Sequence, residues 1–474
     1  MNETSRPWYR ELNRYHWFVL AVAALGWLFD TMDQQLFNLA RNPAVTELLG
    51  PEATKTEIDR HGAYATSIFI LGWATGGLFF GILGDRIGRA KVMMLTILVY
   101  SAFTGLSAFA VGVWDFALYR FLTGLGVGGE FAVGVALVAE VMPDGARAHA
   151  LGWLQTLSAV GNITAAFINM GLGVVEGEGM LGEWKPWRLM FLIGALPALL
   201  AVLIRWRLKE PERWQHAVVE GEEKHHVKAG SLREMFGDPR WRRNAFVGLA
   251  LAIPGVVGLW GIGFFSFDFV RAIFRPQYEA MGLTEEVIRG KLTVLVGWVS
   301  VLQNIGGACG IYAFKTVTQK MGRRPAFLIA FLLAMLSTAG TFWFLNRVNL
   351  LEIFHIPVGW HGTLSYLHSD YNVFWMIPLM GFCQLSLFGG YAIYFPELFP
   401  TRLRSTGTSF CYNVGRYVAA LGPLVMGQLI DTVFGHHGQI MAWRYTGATM
   451  SLFFLVGILA LPFAPETKGK PLPE

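Results

Sequence analysis

The chain of 474 residues is 54% hydrophobic and only 15% charged, and its formal net charge is +5. An average soluble protein carries about 25% charged residues, so this chain cannot cover a soluble surface and is predicted to lie in a membrane. The positive balance is attributed to loops that face anionic lipid, not to nucleic-acid binding. The three cysteines all lie in apolar segments, which indicates no disulfide framework.

Twelve apolar segments reach the length of roughly 20 residues that a membrane-spanning helix needs. In chain order they are 16–40, 62–83, 92–113, 115–139, 148–174, 187–208, 244–270, 292–314, 325–345, 372–394, 406–430 and 441–463. We therefore predict an all-α membrane protein with twelve transmembrane helices. Its parts are an N-terminal six-helix bundle (1–208), a charged cytoplasmic linker (209–243) and a C-terminal six-helix bundle (244–474).

The distribution of Lys and Arg predicts the orientation of these helices. The segments on the side of both termini carry 25 of these residues, and the segments on the opposite side carry 11. Because cytoplasmic loops are enriched in Lys and Arg, we expect both termini in the cytoplasm and the chain in the plasma or inner membrane. The sequence contains no P-loop and no Cys/His cluster with metal-ligand spacing. We expect a monomer that is not an enzyme and binds no cofactor or metal.

An internal repeat relates the two predicted bundles. Three residues of the loop after span four recur 257 positions later after span ten, as Glu140/Glu397, Pro143/Pro400 and Arg147/Arg404. The dipeptides that open spans six and twelve are 256 positions apart, Trp187-Arg188 and Trp443-Arg444. Such agreement indicates duplication. Parallel halves related by an axis along the membrane normal are typical of transporters that rock about a midplane site.

Motifs at the helix junctions resemble those of the major facilitator superfamily. They are GILGDRIGRAK (81–91), RFLTGLGVGGE (120–130), the paired ExxPxxxR loops, KEPERW after span six and PETKG (465–469). The resemblance covers nearly the whole chain and implies that superfamily's fold and alternating-access transport. PETKG and KEPERW resemble the sugar porters, and GGE resembles the metabolite:proton symporters. DTMD (30–33) and GRYVAALGP (415–423) resemble the aromatic acid:proton symporters.

The resemblance also implies gating residues at the loops. The candidates are Asp85, Arg86, Arg89, Glu140, Arg147, Glu397 and Arg404. Asp85 is expected to latch neighbouring helices in one conformation, because a carboxylate is favoured near a helix N-terminus. The second copy of this motif has Gln319 in its place. Each ExxPxxxR loop is expected to form an ion pair in one conformation, Glu140–Arg147 and Glu397–Arg404. The alternative is that all of these are topology signals and surface pairs.

A polar stripe in span one is the first candidate for proton coupling. A charge at mid-membrane costs ~2.5–3.5 kcal/mol on the insertion scale, yet this span holds Asp30, Asp33, Gln34 and Asn38. At about 100° per residue, these four share one side of the helix, which must face protein or water. Since two carboxylates in a low-dielectric site cannot both ionise cheaply, one of them suits proton binding.

Span four carries two further ionisable residues, Arg120 and Glu130. The sugar-porter resemblance implies a contact between Asp33 and Arg120. If this pair exchanges partners when Asp33 binds a proton, it links protons to conformation; the alternative is a fixed buried salt bridge. Glu130 lies about 15 Å further along the helix. It is either a second protonatable group or the partner of a residue on the cytoplasmic side.

Span eleven supplies the candidate for substrate binding, Arg416, with Asn413 beside it. Arg stays protonated, and its planar fork suits a carboxylate in bidentate geometry. The repeat-equivalent position is Ala159, so the charge is not a remnant of duplication. The resemblance to the aromatic acid symporters implies that Arg416 faces an anionic substrate, and the alternative is a structural or gating role.

Other polar and aromatic residues are weaker candidates for the pocket wall. In span five, Gln155 and Asn162 recur at seven-residue spacing, and they either line the pore or bond between helices. The same choice between lining and packing applies to Gln34, Asn38, Trp260, Phe264, Asp268, Gln303, Asn304, Gln384, Tyr391 and Tyr394. Asp268 is expected to pair with Arg271. The glycine-rich runs 72–77 and 124–129 lie mid-span, where they permit close helix contact.

These residues favour proton-coupled symport of a small organic anion. Asp33, Asp30, Arg120 and Glu130 would form the coupling site, and Arg416 would hold the carboxylate. The alternative keeps the fold but transports a neutral sugar or polyol, whose hydroxyls Gln155, Asn162, Gln303 and Asn304 would hold. A third hypothesis is a transport-inactive sensor that binds without flux.

Overall fold

The computed structural model describes residues 8–177, 180–181, 184–197, 204, 207–216, 229–263, 265–347 and 372–473. The helices of the first half with described bounds are α1 (Arg14–Leu49), α2 (Lys55–Ile87), α3 (Arg89–Ser107), α4 (Val113–Val141), α5 (Asp144–Gly177) and α6 (Pro186–Gly194). Those that follow are α7 (Leu232–Gly237), α8 (Pro239–Val256), α9 (Phe265–Ala280), α10 (Glu285–Met321), α11 (Arg323–Phe344), α12 (Asn372–Glu397), α13 (Arg404–Ala419), α14 (Gly422–Gln428), α15 (Gln439–Ser451) and α16 (Phe454–Ala460). A π-helical segment, Val257–Gly263, joins α8 to α9.

Ten helical stretches among the described residues are long and apolar enough to cross a membrane. Predicted span six continues into residues 198–203, which lie outside the described residues. Predicted span eleven is interrupted, because α13 ends at Ala419 and α14 begins at Gly422. Pro423 has no N–H for the helical ladder. Gly422 also lies against the π-helical segment, where an added Cβ would be 2.9 Å from Gly261 Cα.

Several helix bounds differ from the sequence prediction; α1, for example, continues to Leu49, and two of the differences have a local cause. Helix α3 ends at Ser107, six residues before the predicted end of span three, because turns at Ala108–Ala110 lead directly into α4. Helix α8 begins at Pro239, inside the segment predicted as linker. Asp238 caps α8 by accepting hydrogen bonds from the backbone N–H groups of Arg240 and Trp241, and residues 217–228 of that segment lie outside the described residues.

Two glycines at equivalent points of the repeat separate consecutive helices. Gly88 lies between α2 and α3 with φ +117°, and Gly322 lies between α10 and α11 with φ +98°. Only glycine adopts such backbone angles at little cost. Each therefore turns the chain back sharply, and each places an arginine, Arg89 or Arg323, at the start of the next helix.

The glycine-rich runs of α2 and α4 bring these two helices into backbone contact, as predicted. A Cβ atom at Gly72 or Gly76 would overlap the backbone of α4, and one at Gly124 or Gly128 would overlap the backbone of α2. Small residues permit this approach in membranes, where van der Waals contact drives helix association. Helix α2 is thus held firmly against α4, which carries Arg120 and Glu130.

The helices form two packed groups that meet along two seams. Helices α1 to α6 contact one another, and so do α8, α10 to α13, α15 and α16. Between the groups, α13 packs against α2 and α4, and α10 packs against α5. The second seam includes hydrogen bonds from Gln35 Nε2 to Ser300 Oγ at 3.0 Å and from Asn162 Nδ2 to Asn304 Oδ1 at 2.7 Å.

Candidate transport site

Arg416 lies buried on α13 between two aromatic rings. Its guanidinium carbon is 3.9 Å from the ring centre of Trp73 on α2 and 4.1 Å from that of Tyr412. Nη1 donates to Tyr412 O at 2.7 Å and to Asn413 Oδ1 at 2.9 Å. Nε and Nη2 are buried and have no hydrogen-bond partner among the described residues. Two aromatic rings therefore lie against the guanidinium, and its Nε/Nη2 edge has no partner among the described residues.

Surrounding residues hold this arrangement in place across the seam between the halves. Phe131 of α4 stacks on Tyr412 at 4.1 Å, and Trp260 meets Trp73 edge-on at 5.0 Å. Asn413 Nδ2 donates to Ser409 Oγ at 2.9 Å. Both polar atoms of the Asn413 side chain are thus occupied, so it orients Arg416 in this conformation.

Asp33 and Arg120 are in contact, as the resemblance implies. Asp33 Oδ1 lies 3.5 Å from Arg120 Nη1 and accepts a 2.6 Å hydrogen bond from Thr104 on α3. Arg120 donates through Nη2 to Ser107 at 2.8 Å and to Thr123 at 2.9 Å. Both charged side chains are fully buried. Asp33 Oδ2 has no described hydrogen-bond partner, so the pair leaves part of the carboxylate unsatisfied.

Two more carboxylates are buried nearby with few partners. Glu130 accepts a 3.0 Å hydrogen bond from Thr96 through one oxygen, while its other oxygen has no partner among the described residues. Neither oxygen of Asp30 has a hydrogen-bond partner in that part of the chain. The charges that act on Asp30 include those of Glu130, Asp33 and Arg416. An ionised carboxylate without such partners is costly in a low-dielectric interior.

Only some of the polar atoms predicted to line the pocket form hydrogen bonds within the described residues. Buried amide atoms without a described partner include Gln34 Nε2, Gln155 Oε1 and Gln303 Nε2. Asn38 makes a long 3.5 Å bond to Gln35, and Asn304 also donates to Ser300 O at 2.9 Å. Asn162 and Asn304 bridge the halves instead of facing a pocket in this conformation.

Two predicted lining residues lie inside the second group of helices. Gln384 donates to Thr338 of α11 at 2.8 Å. The Tyr391 hydroxyl donates to Leu251 O at 2.7 Å, and its ring stacks on Phe395 at 5.0 Å. Each side chain therefore forms a hydrogen bond with a neighbouring helix.

Further candidates near the second half lie apart from Arg416 or outside the described residues. Tyr394 donates to Pro465 O at 2.7 Å. Asp268 forms the predicted pair with Arg271 at 2.6 Å. Phe264 lies outside the described residues.

Asp85 connects the two halves at the end of the bundle that carries residues 8–13 and 464–473, called here the terminal face. Its carboxylate accepts from Thr406 N at 2.8 Å, Thr406 Oγ1 at 2.6 Å and Ser405 N at 3.2 Å. It also pairs with Arg89 at 2.8 Å. Free N–H groups in the first turn of a helix attract anions, which is why the carboxylate lies at the start of α13. The predicted contact between neighbouring helices is present.

The ion pair predicted between Glu140 and Arg147 is absent from this conformation. Glu140 pairs with Arg89 at 2.9 Å and with Arg404 of the other half at 3.2 Å. Arg147 pairs with Asp144 and donates to Ala139 O at 3.0 Å. Helix α4 ends and α5 begins within this motif, so Glu140 and Arg147 lie on different helices and do not share one helix face.

The second predicted pair, Glu397–Arg404, is likewise absent from this conformation. Glu397 pairs with Arg323 at 2.8 Å, and Arg404 turns back to donate to Pro396 O at 3.3 Å. Helix α12 ends at Glu397 and α13 begins at Arg404. The resulting pairs join each glutamate to the arginine that follows Gly88 or Gly322.

Two remaining residues of this motif behave differently. Arg86 is exposed and forms no ion pair within the described residues. Gln319, which replaces the aspartate in the second half, approaches His149 of α5, with 3.2 Å between its Nε2 and the ring Nδ1. The second seam is thus closed by an uncharged amide where the first uses a carboxylate.

Glutamates after each half cap the arginine-bearing helices. Glu210 accepts from Ala90 N and Lys91 N at 3.1 Å each. Glu466 accepts from the backbone N–H groups of Arg323 and Arg324 at 2.9 to 3.1 Å. Partial burial acts to raise the pKa of Glu466, but backbone N–H donors outweigh it and hold the pKa below its ordinary value.

Sequence reasoning missed the rings around Arg416. Tyr412 lies four positions before Arg416 on one helix, a spacing that places two side chains together, so it was detectable. Trp73 belongs to the other half, and no local spacing indicates its approach. Thr104 and Ser107, whose hydroxyls bond to Asp33 and Arg120, are also brought there by tertiary packing.

Ten membrane-length stretches with charged side chains buried between them define a polytopic membrane protein. Residues 23–360 match the family model of the Major Facilitator Superfamily, and the chain belongs to that family. Members of this family are transporters and not enzymes, so the predictions of family, fold class and non-enzymatic role are confirmed. Small-molecule transport across a membrane is the function of the class.

Comparisons with known proteins agree with this assignment. A probable 4-methylmuconolactone transporter of Cupriavidus pinatubonensis is 29% identical over 451 residues, 94% of this chain and 89% of its own. A cis,cis-muconate transport protein of Acinetobacter baylyi is 26% identical over 462 residues, 96% and 95% of the two chains. The structure of a proton:xylose symporter bound to 6-bromo-6-deoxy-D-glucose has a TM-score of 0.67 at 18% identity, covering 97% of this chain and 98% of that one. That likeness shows the fold.

Proposed function

We propose that the protein carries a small organic anion across the membrane together with protons, and that Arg416 holds the carboxylate of the substrate. The observation that carries this proposal is the free edge of Arg416, with Nε and Nη2 buried and unpartnered among the described residues. The relatives named for 4-methylmuconolactone and cis,cis-muconate support a carboxylate substrate.

The geometry of Arg416 favours a carboxylate over a neutral group. Nε and Nη2 lie on one edge of the guanidinium and donate in parallel, the arrangement that binds both oxygens of a carboxylate. The rings of Trp73 and Tyr412 lie 3.9 and 4.1 Å from the guanidinium, which leaves the Nε/Nη2 edge for the substrate. Arg416 forms no direct ion pair within the described residues, and the carboxylate of an incoming anion would supply one.

Charge balance favours proton coupling. Asp30, Asp33 and Glu130 face two buried cations, Arg120 and Arg416, so the interior carries a surplus of one negative charge if all are ionised. An anionic substrate would increase that surplus. Uncompensated charge is costly in a low-dielectric interior. Protons bound by these carboxylates would therefore offset the negative charge that the anion adds. Asp33, with one oxygen free beside Arg120, is assigned as the main proton carrier.

We assign the conformational change to rocking of residues 1–208 against 244–474 about the segment 209–243. The terminal face is assigned to the cytoplasm, in agreement with the Lys and Arg distribution. The contacts that close this face would break when it opens, and they involve Asp85, Arg89, Glu140, Glu397 and Arg404. Arg86 and Arg147 would contribute to the same gate in another conformation. The protein is assigned to the inner membrane as a monomer.

The test is uptake by the purified full-length protein in liposomes, with and without an inward proton gradient. A panel of carboxylates and sugars is offered to the wild type, to Arg416→Ala and to Arg271→Ala, a partly exposed arginine of α9. We expect gradient-driven accumulation of an acid that is lost at least about 30-fold in Arg416→Ala, the equivalent of ~2 kcal/mol for a truncated buried charge pair, and unchanged in Arg271→Ala. Acid uptake that survives in Arg416→Ala would overturn the proposal.

The unpartnered amides of Gln155 and Gln303 favour a second candidate, transport of a sugar or polyol. Amide groups donate to and accept from hydroxyls, and they require no arginine. Under this reading Arg416 is structural. Sugar uptake that persists in Arg416→Ala and falls in Gln155→Leu would establish the second candidate in place of the first.

A further inference from the structure

A cavity lies at the terminal face, away from Arg416. It has a volume of about 890 Å³ and is enclosed by the first turn of α8, the start of α11 and the C-terminal segment 462–473. The segment is held over the cavity by hydrogen bonds from Arg324 Nη2 to Pro462 O at 3.3 Å and from Arg404 Nη2 to Pro473 O at 3.2 Å. The cavity is therefore a built feature of the closed face.

The wall of this cavity carries four basic side chains that are not neutralised. They are Arg240, Arg243, Arg324 and Lys470, and none of them forms an ion pair within the residues that the structure describes. The two carboxylates of the wall already have ion-pair or hydrogen-bond partners. Glu397 binds Arg323 and Thr467, and Glu466 accepts several backbone N–H groups. The cavity thus presents an excess of positive charge with hydrogen-bond donors.

An apolar surface adjoins the basic wall. Arg243 Nη2 donates to the backbone oxygen of Phe463 at 3.2 Å, and the Phe463 side chain is 59% exposed. Leu459, one helical turn earlier on α16, is 72% exposed. In a membrane-spanning helix such side chains face acyl chains. One molecule with an anionic head and an apolar tail would contact the basic wall and this surface at once.

We propose that the cavity binds the headgroup of an anionic phospholipid, with the phosphate against Arg243 and Arg324 and an acyl chain along Phe463 and Leu459. Basic pockets between transmembrane helices recognise such headgroups through charge-assisted hydrogen bonds. The apolar surface distinguishes this occupant from a soluble phosphate, which would use the basic wall alone. The site is separate from the transport site and does not depend on what is transported.

Native mass spectrometry of the full-length protein in detergent with phosphatidylglycerol or phosphatidylcholine tests this site. Each basic residue near an anionic lipid surface contributes ~1 kcal/mol, about five-fold in affinity. We expect phosphatidylglycerol binding about 25-fold weaker in the double variant Arg243→Gln/Arg324→Gln and about five-fold weaker in Lys470→Gln, whose exposed side chain leaves folding intact. Arg242→Gln, on the same helix but outside the cavity wall, should bind as the wild type does.

Three outcomes would overturn the proposal. Equal binding of phosphatidylglycerol by the wild type, Lys470→Gln and the double variant would show that the cavity is not the site. Displacement of the lipid by millimolar glycerol 3-phosphate or inorganic phosphate would assign the cavity to a soluble anion instead. Equal retention of phosphatidylcholine would remove the role of headgroup charge.

Discussion

Glu140 at the end of α4 accepts a 3.2 Å hydrogen bond from Arg404 on α13, 264 positions later in the chain. Both side chains are fully buried, and Glu140 also pairs with Arg89 at 2.9 Å. One carboxylate therefore forms ion pairs with two guanidinium groups from opposite halves. Under the proposed rocking mechanism the halves separate when the terminal face opens, so this contact would belong to the closed conformation and bias the equilibrium towards it.

Replacing Glu140 with Gln should open the terminal face. Buried Arg404 would lose its ion-pair partner and Arg89 would keep only Asp85, and removal of one partner from a buried pair costs about 3–5 kcal/mol. The closed population should fall by about 100-fold or more relative to the open one. The measurement is the rate at which a maleimide labels Ser405→Cys, a position that is fully buried in the closed face.

The background and the control for this labelling come from the chain itself. Cys309 is exposed, so the experiment uses a Cys309→Ser background. Asp144→Asn removes a carboxylate that is 66% exposed and pairs with Arg147 on the same face. It should leave the labelling rate of Ser405→Cys unchanged, and faster labelling there than in Glu140→Gln would contradict the assignment of Glu140 to the gate.

Trp73→Leu should weaken substrate binding without removing any charge. The ring lies 3.9 Å from the guanidinium of Arg416, and a desolvated cation–π contact contributes about 2 kcal/mol. Without it the guanidinium loses its fixed plane, so we expect KM to rise by about 30-fold while kcat changes little. Trp73→Phe should give a smaller rise. Uptake kinetics in liposomes measure both constants.

The matched control for Trp73 is another tryptophan of the first half. Trp114 is 64% exposed at the start of α4, so Trp114→Leu should leave KM unchanged. A rise in KM that is equal in both variants would mean that the loss of Trp73 acts through general destabilisation and not through Arg416.

Local sequence patterns were sufficient for the membrane-spanning helices and for part of the site. Apolar length gives α4 and α12 to within a few residues. The glycine runs predicted close helix contact, and the structure shows that α2 and α4 make it with each other. The Asp33–Arg120 contact came from a family resemblance. These features depend on a single helix or on two helices whose relation the family preserves.

The gate and the aromatic contacts could not be obtained in this way. Glu140 and Arg147 are close in sequence, yet a helix break separates them and Glu140 reaches Arg404 instead. Trp73 approaches Arg416 from the other half of the chain. In both cases the contact depends on how the two bundles pack against each other. The periodicity of residues within one bundle does not predict that packing.

Asp33→Asn should uncouple transport from the proton gradient. The variant cannot exchange a proton, and it leaves Arg120 without its 3.5 Å counter-charge. We expect substrate to equilibrate across the membrane but not to accumulate when a gradient is applied, while exchange of internal for external substrate continues. Asp268→Asn, which removes a partly exposed carboxylate paired with Arg271, should retain accumulation. Undiminished gradient-driven accumulation in Asp33→Asn would exclude it as the proton carrier.

The Glu466 cap should make the stability of the terminal face depend on acidity. Burial alone would raise the pKa of Glu466, but the backbone N–H groups of Arg323, Lys468, Arg324 and Thr467 lower it below its ordinary value. A carboxylate whose folded pKa is lowered contributes stability above its unfolded pKa and loses it as the pH falls through the folded pKa. The contribution of Glu466 should therefore be complete at neutral pH and disappear in acid.

Thermal unfolding of the wild type and Glu466→Gln at a series of pH values measures this contribution. The amide can accept hydrogen bonds but carries no charge, so the variant should have a Tm lower by a few degrees at pH 7. The difference should stay constant down to the ordinary Glu pKa of about 4.3 and shrink below it. Glu279→Gln removes a half-exposed carboxylate that pairs with Arg275 and should show no comparable difference at pH 7. A gap between wild type and Glu466→Gln that widens in acid would reverse the sign of the linkage and show that the backbone donors do not stabilise the ionised form.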